Sequence, residues 1–286
     1  MPNIHISSPL VSIQWLAEYL DDQNLVILDA SMKPVGPISS DVPLEAPACI
    51  PGARRFDFDN DIRDKNTDLP HMMPSAEFFT EEMQKLGINK DSVIVVYDDV
   101  GVYSSPRAWW MFRAMGHDRV AVLDGGLPAW KKAGLPCGIE VETTALARGN
   151  FISQLQKGMF VNSVLVLKAL SDPAFSVVDA RSEGRFKGQE PEPRAGLRGG
   201  HMPNAVNIPF ADLVVDGFVL PPELLKSIFA KKVNQSQQLI FSCGSGVTAC
   251  VDALAAALAG YSKLTIYDGS WSEWGLESSG LPVTKE

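Results

Sequence analysis

Long apolar runs, basic charge and paired cysteines are all scarce in this sequence of 286 residues. It contains no run of about 18 apolar residues, so no membrane-spanning helix is predicted. Lys and Arg total 25 against 34 Asp and Glu, a formal net charge of −9. This balance does not indicate a surface that binds nucleic acid or an anionic membrane. The first residues lack a basic stretch followed by an apolar one, and no secretory signal is predicted.

Cysteine and histidine are also few, with four of each. No two cysteines form a CxxC pair, so we expect neither a zinc site nor a disulfide framework. We expect no metal and no other cofactor, and a reducing, cytoplasmic compartment. Apolar residues, by contrast, make up 45% of the chain, which is ample material for globular cores.

The chain repeats itself once. Four blocks recur in the same order about 144 to 152 residues apart: "NLVILDASMK" with "AFSVVDARSE", "CIPGARRFDF" with "HMPNAVNIPF", "VIVVYDDVGVYSS" with "QLIFSCGSGVTAC", and "AVLDGGLPAW" with "TIYDGSWSEW". Such a repeat predicts two similar domains. We place them at residues 1–143 and 144–286, with the boundary in the polar segment 138–150.

Each half alternates short β-rich runs with amphipathic helical patterns. In the first half we predict strands near residues 26–28, 93–97 and 120–123, and helices near residues 13–19, 77–86 and 106–115. This alternation is typical of α/β domains in which a mainly parallel sheet carries helices on both faces. The Pro/Gly-rich segment 186–203 is predicted to be an ordered surface loop, a usual location for site residues.

Cys243 directly follows a predicted buried strand, residues 239–242, and precedes an Ala-rich helical pattern that starts near Thr248. Parallel sheets carry their sites at the carboxyl ends of strands. Gly244 and Gly246 permit positive φ, so we expect the loop to curl around the sulfur with its N–H groups inward. The helix N-terminus adds partial positive charge, and both effects favour a thiolate nucleophile.

Two further observations limit the chemistry that can be assigned to the Cys243 loop. Cys250, two helical turns after Cys243, and Cys49 are both predicted to pack in the core. Cys-loop phosphatases need an arginine six positions after the cysteine to bind phosphate, and here that residue is Ala249. Phosphoryl transfer is therefore not indicated.

The duplicated pattern, the cysteine loop in the second half only, the segment "MPNAVNIP" and the closing "YDGSWSEW" resemble the two-domain rhodanese-type sulfurtransferases over nearly the whole chain. The loop "CGSGVT" is similar to that of members that use 3-mercaptopyruvate, whereas thiosulfate-specific members typically carry a basic "CRKGVT" loop. The resemblance implies two tandem rhodanese-like domains. Asp98 stands where the second half has Cys243, so only the second domain is expected to be catalytic. The active-site loop then includes Gly244, Gly246, Val247 and Thr248.

One departure from the family pattern concerns the first half. Rhodanese halves often read His-Ile-Pro-Gly-Ala where this chain has Cys49-Ile-Pro-Gly-Ala. That histidine is usually structural, so the difference bears on packing more than on catalysis.

The resemblance also implies a substrate-binding set in the segment "EGRFKGQEPEPR". A mercaptopyruvate carboxylate calls for arginine, whose planar fork matches two oxygens, and the family's arginines fall on Arg185 and Arg194. We expect Arg181 to be a structural residue paired with a nearby acid, and Arg198 to be a solvated loop residue.

The resemblance further implies a proton relay and a covalent mechanism. Ser245 would act with His71 and Asp59; Asp61, in the same acidic segment, is the alternative to Asp59. Cys243 would take the sulfur as a persulfide, release pyruvate, and pass the sulfur to a small thiol, cyanide or a thioredoxin-type protein. Two other functions remain open here: a thiosulfate:cyanide sulfurtransferase, and a persulfide carrier or regulatory module.

Overall fold

The computed structural model describes residues 4–35, 48–139, 141 and 146–286. The chain divides into two compact units, each discontinuous in sequence. The first comprises Met1–Ile62, Pro74–Leu155 and Asp216–Phe218. The second comprises Arg63–Met73, Gln156–Val215 and Val219–Glu286. The predicted boundary segment, 138–150, lies partly outside the described residues.

In its described residues, the first unit has a sheet of five strands and four helices. In chain order the elements are β1 (Leu10–Val11), α1 (Ile13–Glu18), β2 (Leu25–Asp29), β3 (Arg54–Arg55), α2 (Ala76–Lys85), β4 (Val93–Tyr97), α3 (Ser105–Ala114), β5 (Val120–Leu123) and α4 (Gly126–Lys132). The strand order is β1-β5-β4-β2-β3, and every neighbouring pair is parallel.

The second unit contains a second five-stranded sheet. The further elements of the chain are β6 (Phe160–Val161), α5 (Ser163–Ala169), β7 (Phe175–Asp179), α6 (Glu183–Lys187), β8 (Val206–Asn207), β9 (Val214–Val215), β10 (Phe218–Val219), α7 (Pro222–Ala230), β11 (Gln238–Ser242), α8 (Ala249–Leu258), β12 (Leu264–Tyr267) and α9 (Ser270–Trp274). Its strand order is β6-β12-β11-β7-β8, again all parallel. Strands β9 and β10 form a separate two-stranded sheet.

The two sheets have the same topology, strand for strand. The central pair β2–β4 ends in register with Asp29 opposite Tyr97, and the corresponding pair β7–β11 ends with Asp179 opposite Ser242. The predicted duplication and the mainly parallel α/β architecture are therefore confirmed. Because parallel strands end at one edge of their sheet, Asp98 and Cys243 occupy equivalent positions immediately after the central strands β4 and β11.

The sequence periodicity located the elements of the first half closely. Strands β4 and β5 have the predicted bounds, and helices α2 and α3 each begin and end one residue earlier than predicted. The shift in α2 follows from its cap, because Ser75 Oγ accepts the N–H of Phe78 and so fixes the first turn.

The cores contain the apolar residues of both sheets. Strands β4 and β5 are buried throughout, as their continuous Val/Ile runs predict for a sheet covered on two faces. Cys49 and Cys250 are buried at 3% and 0% exposure, which confirms their predicted core positions, and all four cysteines are free thiols. Within the described residues, no helix has the length and apolar character needed to cross a membrane.

Candidate active site

Cys243 is the first residue after strand β11, and its side chain is 2% exposed. Its backbone is tied to the start of helix α9: the N–H of Cys243 donates to Ser270 Oγ (3.2 Å), and its carbonyl oxygen accepts from the N–H of Trp271 (2.9 Å). Ser272 donates both its N–H (2.8 Å) and its hydroxyl (2.7 Å) to the carbonyl oxygen of Gly244. The "YDGSWSEW" segment therefore fixes the active-site loop.

The two loop glycines have different reasons for being glycine. Gly246 has φ of 76°, the left-handed conformation predicted for it. Gly244 is not among the residues with positive φ, so that expectation was wrong for this position. A Cβ at Gly244 would lie 3.3 Å from Nη2 of Arg185 and 3.5 Å from Nη1 of Arg194. At Gly244 the missing side chain leaves room for two guanidinium groups.

Four backbone N–H groups of the loop before helix α8 have no acceptor among the described residues. They are the N–H groups of Gly244, Ser245, Val247 and Thr248. Helix α8 begins at Ala249, with Thr248 as its N-cap, close to the predicted start. Unpaired N–H groups at a helix N-terminus form a natural site for an anion.

The equivalent loop of the first unit shows what such donors do. The Oδ2 atom of Asp98 accepts the N–H groups of Tyr103 (2.9 Å), Ser104 (3.0 Å) and Ser105 (2.9 Å), and Oδ1 accepts that of Val100 (3.2 Å). Burial raises the pKa of the Asp98 carboxyl, and these hydrogen bonds oppose that effect. In the first unit the loop thus encloses its own carboxyl group, whereas in the second unit a thiol stands at the same position.

Ser245 contacts a histidine from the segment 63–73, which groups with the second unit. The Nδ1 atom of His71 lies 3.0 Å from Ser245 Oγ, and the two side chains are 3% and 4% exposed. His71 has φ of 62°, and two residues later the N–H of Met73 donates to Asp268 Oδ2 (2.7 Å). Asp268 therefore anchors the segment that carries His71.

Arg194 also contacts Ser245, because its Nη2 donates to Ser245 Oγ at 3.3 Å. A serine hydroxyl has one proton to donate. Since Arg194 has only donors, the Ser245 oxygen accepts from Arg194. Nδ1 of His71 also lies 3.4 Å from the carbonyl oxygen of Ser245. Nδ1 accepts the Ser245 proton in the tautomer with the imidazole proton on Nε2, and it donates to Ser245 in the other tautomer.

Arg181 is a structural residue, as the sequence predicts. It binds Asp179 with Nε (3.0 Å to Oδ1) and Nη2 (2.6 Å to Oδ2), and it donates Nη1 to Glu192 (2.7 Å). Its guanidinium carbon lies 4.0 Å from the ring centroid of Trp271. Arg185 pairs with the same Glu192, with Nη2 at 2.6 Å from Oε2.

The prediction for Arg198 was wrong. Arg198 is half-buried, and its guanidinium donates to the carbonyl oxygens of Trp274 (2.8 Å), Gly275 (3.2 Å) and Leu281 (3.0 Å). The physical reason is that the end of helix α9 and the segment after it present three carbonyl oxygens to one guanidinium, whose three nitrogens donate to them and to Ser279 Oγ (3.1 Å).

Asp59 groups with the first unit, and its role stays a prediction. Its N–H donates to Asp57 Oδ1 (3.1 Å), as does the N–H of Asn60 (2.9 Å), so the side chain of Asp57 organises this turn. Asp59 is partly buried, whereas Asp61 is exposed.

Sequence reasoning missed the residues that support the site. Glu192 lies inside the segment from which Arg185 and Arg194 were chosen, and Ser270 and Ser272 lie inside the block that carried the family resemblance. Each could be recognised only as a member of a motif. Residues that meet only in the folded chain have no characteristic spacing in a single sequence.

Asp252 on helix α8 is a further buried acid that sequence reasoning did not single out. It is 0% exposed, and within the described residues neither carboxyl oxygen has a hydrogen-bond partner. Burial raises the pKa of Asp252 well above its ordinary value, and the nearby Cys243, Asp179 and Asp212 add to the effect.

A metal site is not found in the described part of the chain, where no three His, Cys, Asp or Glu side chains are grouped to hold an ion.

The model of the rhodanese-like domain matches residues 12–133 and 164–277. The human 3-mercaptopyruvate sulfurtransferase is 42% identical, over 100% of this chain and 98% of its own. The thiosulfate sulfurtransferase of Rattus norvegicus is 41% identical, over 93% of this chain and 91% of its own. The crystal structure of the 3-mercaptopyruvate sulfotransferase SseA from Escherichia coli matches with a TM-score of 0.80 and 36% identity, over 93% of this chain and 100% of that chain.

The chain therefore belongs to the rhodanese-like family, as a tandem-domain sulfurtransferase. Relatives named for 3-mercaptopyruvate and for thiosulfate are almost equally identical to this chain. The choice of sulfur donor therefore has to be argued from the site itself.

Proposed function

We propose that this chain is a 3-mercaptopyruvate sulfurtransferase. One observation carries the proposal: an uncharged loop places Ser245 within hydrogen-bond distance of His71, while two guanidinium groups flank Gly244. A donor with a thiol proton at one end and a carboxylate at the other needs both features. The human relative and the Escherichia coli structure, both named for 3-mercaptopyruvate, support the proposal and match 100% and 93% of the chain.

The carboxylate end is assigned to Arg185 and Arg194. Nη2 of Arg185 and Nη1 of Arg194 lie 3.3 and 3.5 Å from the position of a Cβ on Gly244, so an anion above that residue is within reach of both. Charge-assisted hydrogen bonds from a guanidinium to a carboxylate are stronger than neutral ones. The arginines orient the substrate with its sulfur toward Cys243.

The sulfur end is assigned to Cys243, Ser245 and His71. The Cys243 thiolate attacks the substrate sulfur and forms an S–S bond while the carbon–sulfur bond breaks. The electron pair of that bond passes to carbon, and pyruvate leaves as its enolate. The substrate thiol proton passes to Ser245 Oγ as Ser245 gives its own proton to His71 Nδ1. The proton held by His71 then returns through Ser245 to the enolate carbon and converts the enolate to pyruvate, which leaves Cys243 as an anionic persulfide. The unpaired N–H groups of Ser245, Val247 and Thr248 are suited to stabilise the anionic persulfide.

The remaining parts of the proposal rest on the family resemblance. Asp59 is proposed as the acid that supports His71. The persulfide passes its outer sulfur to a small thiol, to cyanide or to a thioredoxin-type protein, and Cys243 returns as thiolate. A reducing, cytoplasmic location fits four free cysteines.

The alternative is a thiosulfate sulfurtransferase, which is the name of the rat relative that is 41% identical to this chain. Thiosulfate is a dianion whose sulfonate lies next to the transferred sulfur, so it needs positive charge on the loop itself. Gly244 and Ser245 supply none. A persulfide carrier is disfavoured by the 2% exposure of Cys243, because a carrier must offer its thiol to a partner protein.

The direct test compares kcat/KM for 3-mercaptopyruvate and for thiosulfate in one preparation, with cyanide as the common acceptor. The proposal expects a clear preference for 3-mercaptopyruvate, and Cys243→Ser should abolish both activities. A preference for thiosulfate would replace the proposal with its alternative.

A further inference from the structure

Glu192 is a buried acid between two arginines of the second unit. Its side chain is 1% exposed and accepts from Arg181 Nη1 (2.7 Å), from Arg185 Nη2 (2.6 Å) and, more weakly, from Arg185 Nε (3.3 Å). A carboxylate so far from water is retained only when its oxygens are well paired, and here both oxygens bind a guanidinium. Neither the proposed chemistry nor the sequence motifs assign this residue a role.

Glu192 is held in place by Arg181 as well as by Arg185. Arg181 is itself immobilised: it binds Asp179 at the end of strand β7, donates Nη2 to the carbonyl oxygen of Gly200 (2.8 Å) and packs over Trp271. Its side chain is 0% exposed. Glu192 therefore connects a rigid point of the sheet edge to Arg185, which is 22% exposed and would otherwise move freely.

The contact decides which edge of Arg185 is available. A guanidinium has five N–H donors in a fixed plane. Glu192 takes the Nε–Nη2 edge, which leaves the Nη1–Nη2 edge unbound by Glu192. Nη2 lies 3.3 Å from the Cβ position of Gly244, beside the cysteine loop.

We propose that Glu192 is a positioning residue that holds the Arg185 fork toward the active-site loop for capture of the substrate carboxylate. This inference rests on the proposed function of Arg185. It differs from a role as a simple counter-charge, because it requires that the effect of Glu192 be transmitted through the Arg185 side chain.

The test is a double-mutant cycle between Glu192→Gln and Arg185→Ala, with Glu190→Gln as matched control. Glu190 is an exposed acid of the same loop that accepts from Ser182. Glu192→Gln should raise the KM for 3-mercaptopyruvate roughly 5- to 20-fold and leave kcat within about threefold, a smaller effect than loss of the arginine itself because the guanidinium remains and the glutamine still accepts one of its N–H groups. In the Arg185→Ala background the same change should alter KM less than about twofold, since the two effects share one interaction.

A second readout does not depend on the identity of the sulfur donor. Iodoacetate and iodoacetamide alkylate the same thiol, but only iodoacetate carries a carboxylate. The ratio of their rates at Cys243 therefore measures carboxylate capture beside the nucleophile. The ratio should fall in Glu192→Gln and stay unchanged in Glu190→Gln. If the wild type fails to use 3-mercaptopyruvate, this readout still tests Glu192.

Two results would overturn the inference. A rise in the alkylation ratio in Glu192→Gln would show that Glu192 acts as a counter-charge alone. An undiminished effect in the Arg185→Ala background would show that it acts on the fold through Arg181. Thermal unfolding is measured for each variant, and Glu192→Asp, which keeps the charge on a shorter side chain, takes the place of Glu192→Gln if that variant does not fold. Its KM should then rise, and its ratio fall, only while Arg185 is present.

Discussion

The Nδ1 atom of His71 lies 3.0 Å from the hydroxyl oxygen of Ser245, two residues after Cys243. The same oxygen accepts a hydrogen bond from Arg194 at 3.3 Å, and a proton can pass between this hydroxyl and the imidazole. A proton path beside the thiol is useful only to a donor that brings a proton on its sulfur. Thiosulfate brings none, and this difference gives the first prediction.

Ser245→Ala should lower kcat for 3-mercaptopyruvate roughly a hundredfold, within the range for removal of a general acid–base group. It should lower thiosulfate turnover far less. Steady-state kinetics with both donors measure the two effects. The matched control is Ser242→Ala, which removes a buried hydroxyl next to Cys243 that has no partner among the described residues. Equal losses with both donors would exclude the relay.

Arg185→Ala should weaken capture of 3-mercaptopyruvate. Loss of one charged hydrogen-bonding group costs about 1.5–3 kcal/mol, or roughly tenfold to a hundredfold in kcat/KM. Arg194→Ala should in addition lower kcat, because Arg194 also orients the Ser245 hydroxyl. Arg198→Ala is the control: its bonds to the carbonyl oxygens after helix α9 predict a lower melting temperature with an unchanged KM. Wild-type kinetics in both Arg185→Ala and Arg194→Ala would place the carboxylate elsewhere.

The loop should select the sulfur donor. Gly244→Arg with Ser245→Lys adds positive charge for a dianion and removes the proton path, so the ratio of thiosulfate to mercaptopyruvate activity should rise. Total activity should fall as well, because the new Cβ at residue 244 lies within 3.5 Å of both Arg185 and Arg194 and the new charge repels them. The ratio of kcat/KM values is the quantity to measure, and a ratio that stays constant argues against selection by the loop.

Asp252 should make stability depend on pH. Burial raises the pKa of its carboxyl, so the folded protein keeps a proton that the unfolded chain loses above about pH 4. From there upward the unfolded state binds fewer protons than the folded state, and the free energy of unfolding falls by up to about 1.4 kcal/mol per pH unit until the folded carboxyl ionises.

Asp252→Asn should remove this contribution and make the protein relatively more stable than wild type at pH 8 than at pH 4. Denaturant unfolding across that range measures the difference in slope. Asp118→Asn, which changes a side chain that is 84% exposed, should follow the wild-type curve. Parallel curves for Asp252→Asn and wild type would mean that Asp252 does not hold a proton through this range.

Much of the fold could be predicted from the sequence, because the features that determine it are local or repeated. The continuous Val/Ile run of β4 has one period and one length, and its bounds were predicted to the residue. Because the two halves repeat each other in sequence, their two sheets were expected to share one topology. Short strands such as β3 and β8, two residues each, carry no such periodicity and were not predicted.

The candidate site was predicted only where a motif marks it. Cys243 follows a buried strand, which is a property of neighbouring residues. Gly244 shows the limit of the same reasoning: its glycine is explained by Arg185 and Arg194, which lie 59 and 50 positions away in sequence, and not by backbone conformation. Arg198 shows the same limit. Its charge led to the prediction of a solvated side chain, whereas its hydrogen-bond partners are carbonyl groups more than 70 positions away in sequence. Side-chain partners that meet only in the folded chain leave no local pattern.

The most direct measurement is intact-protein and peptide mass spectrometry after brief exposure to 3-mercaptopyruvate without an acceptor. We predict that the protein gains the mass of one sulfur atom, located on Cys243 and absent from Cys49, Cys137 and Cys250, with one pyruvate released per sulfur bound. An added sulfur on another cysteine, or pyruvate release without any sulfur on Cys243, would contradict the proposed mechanism.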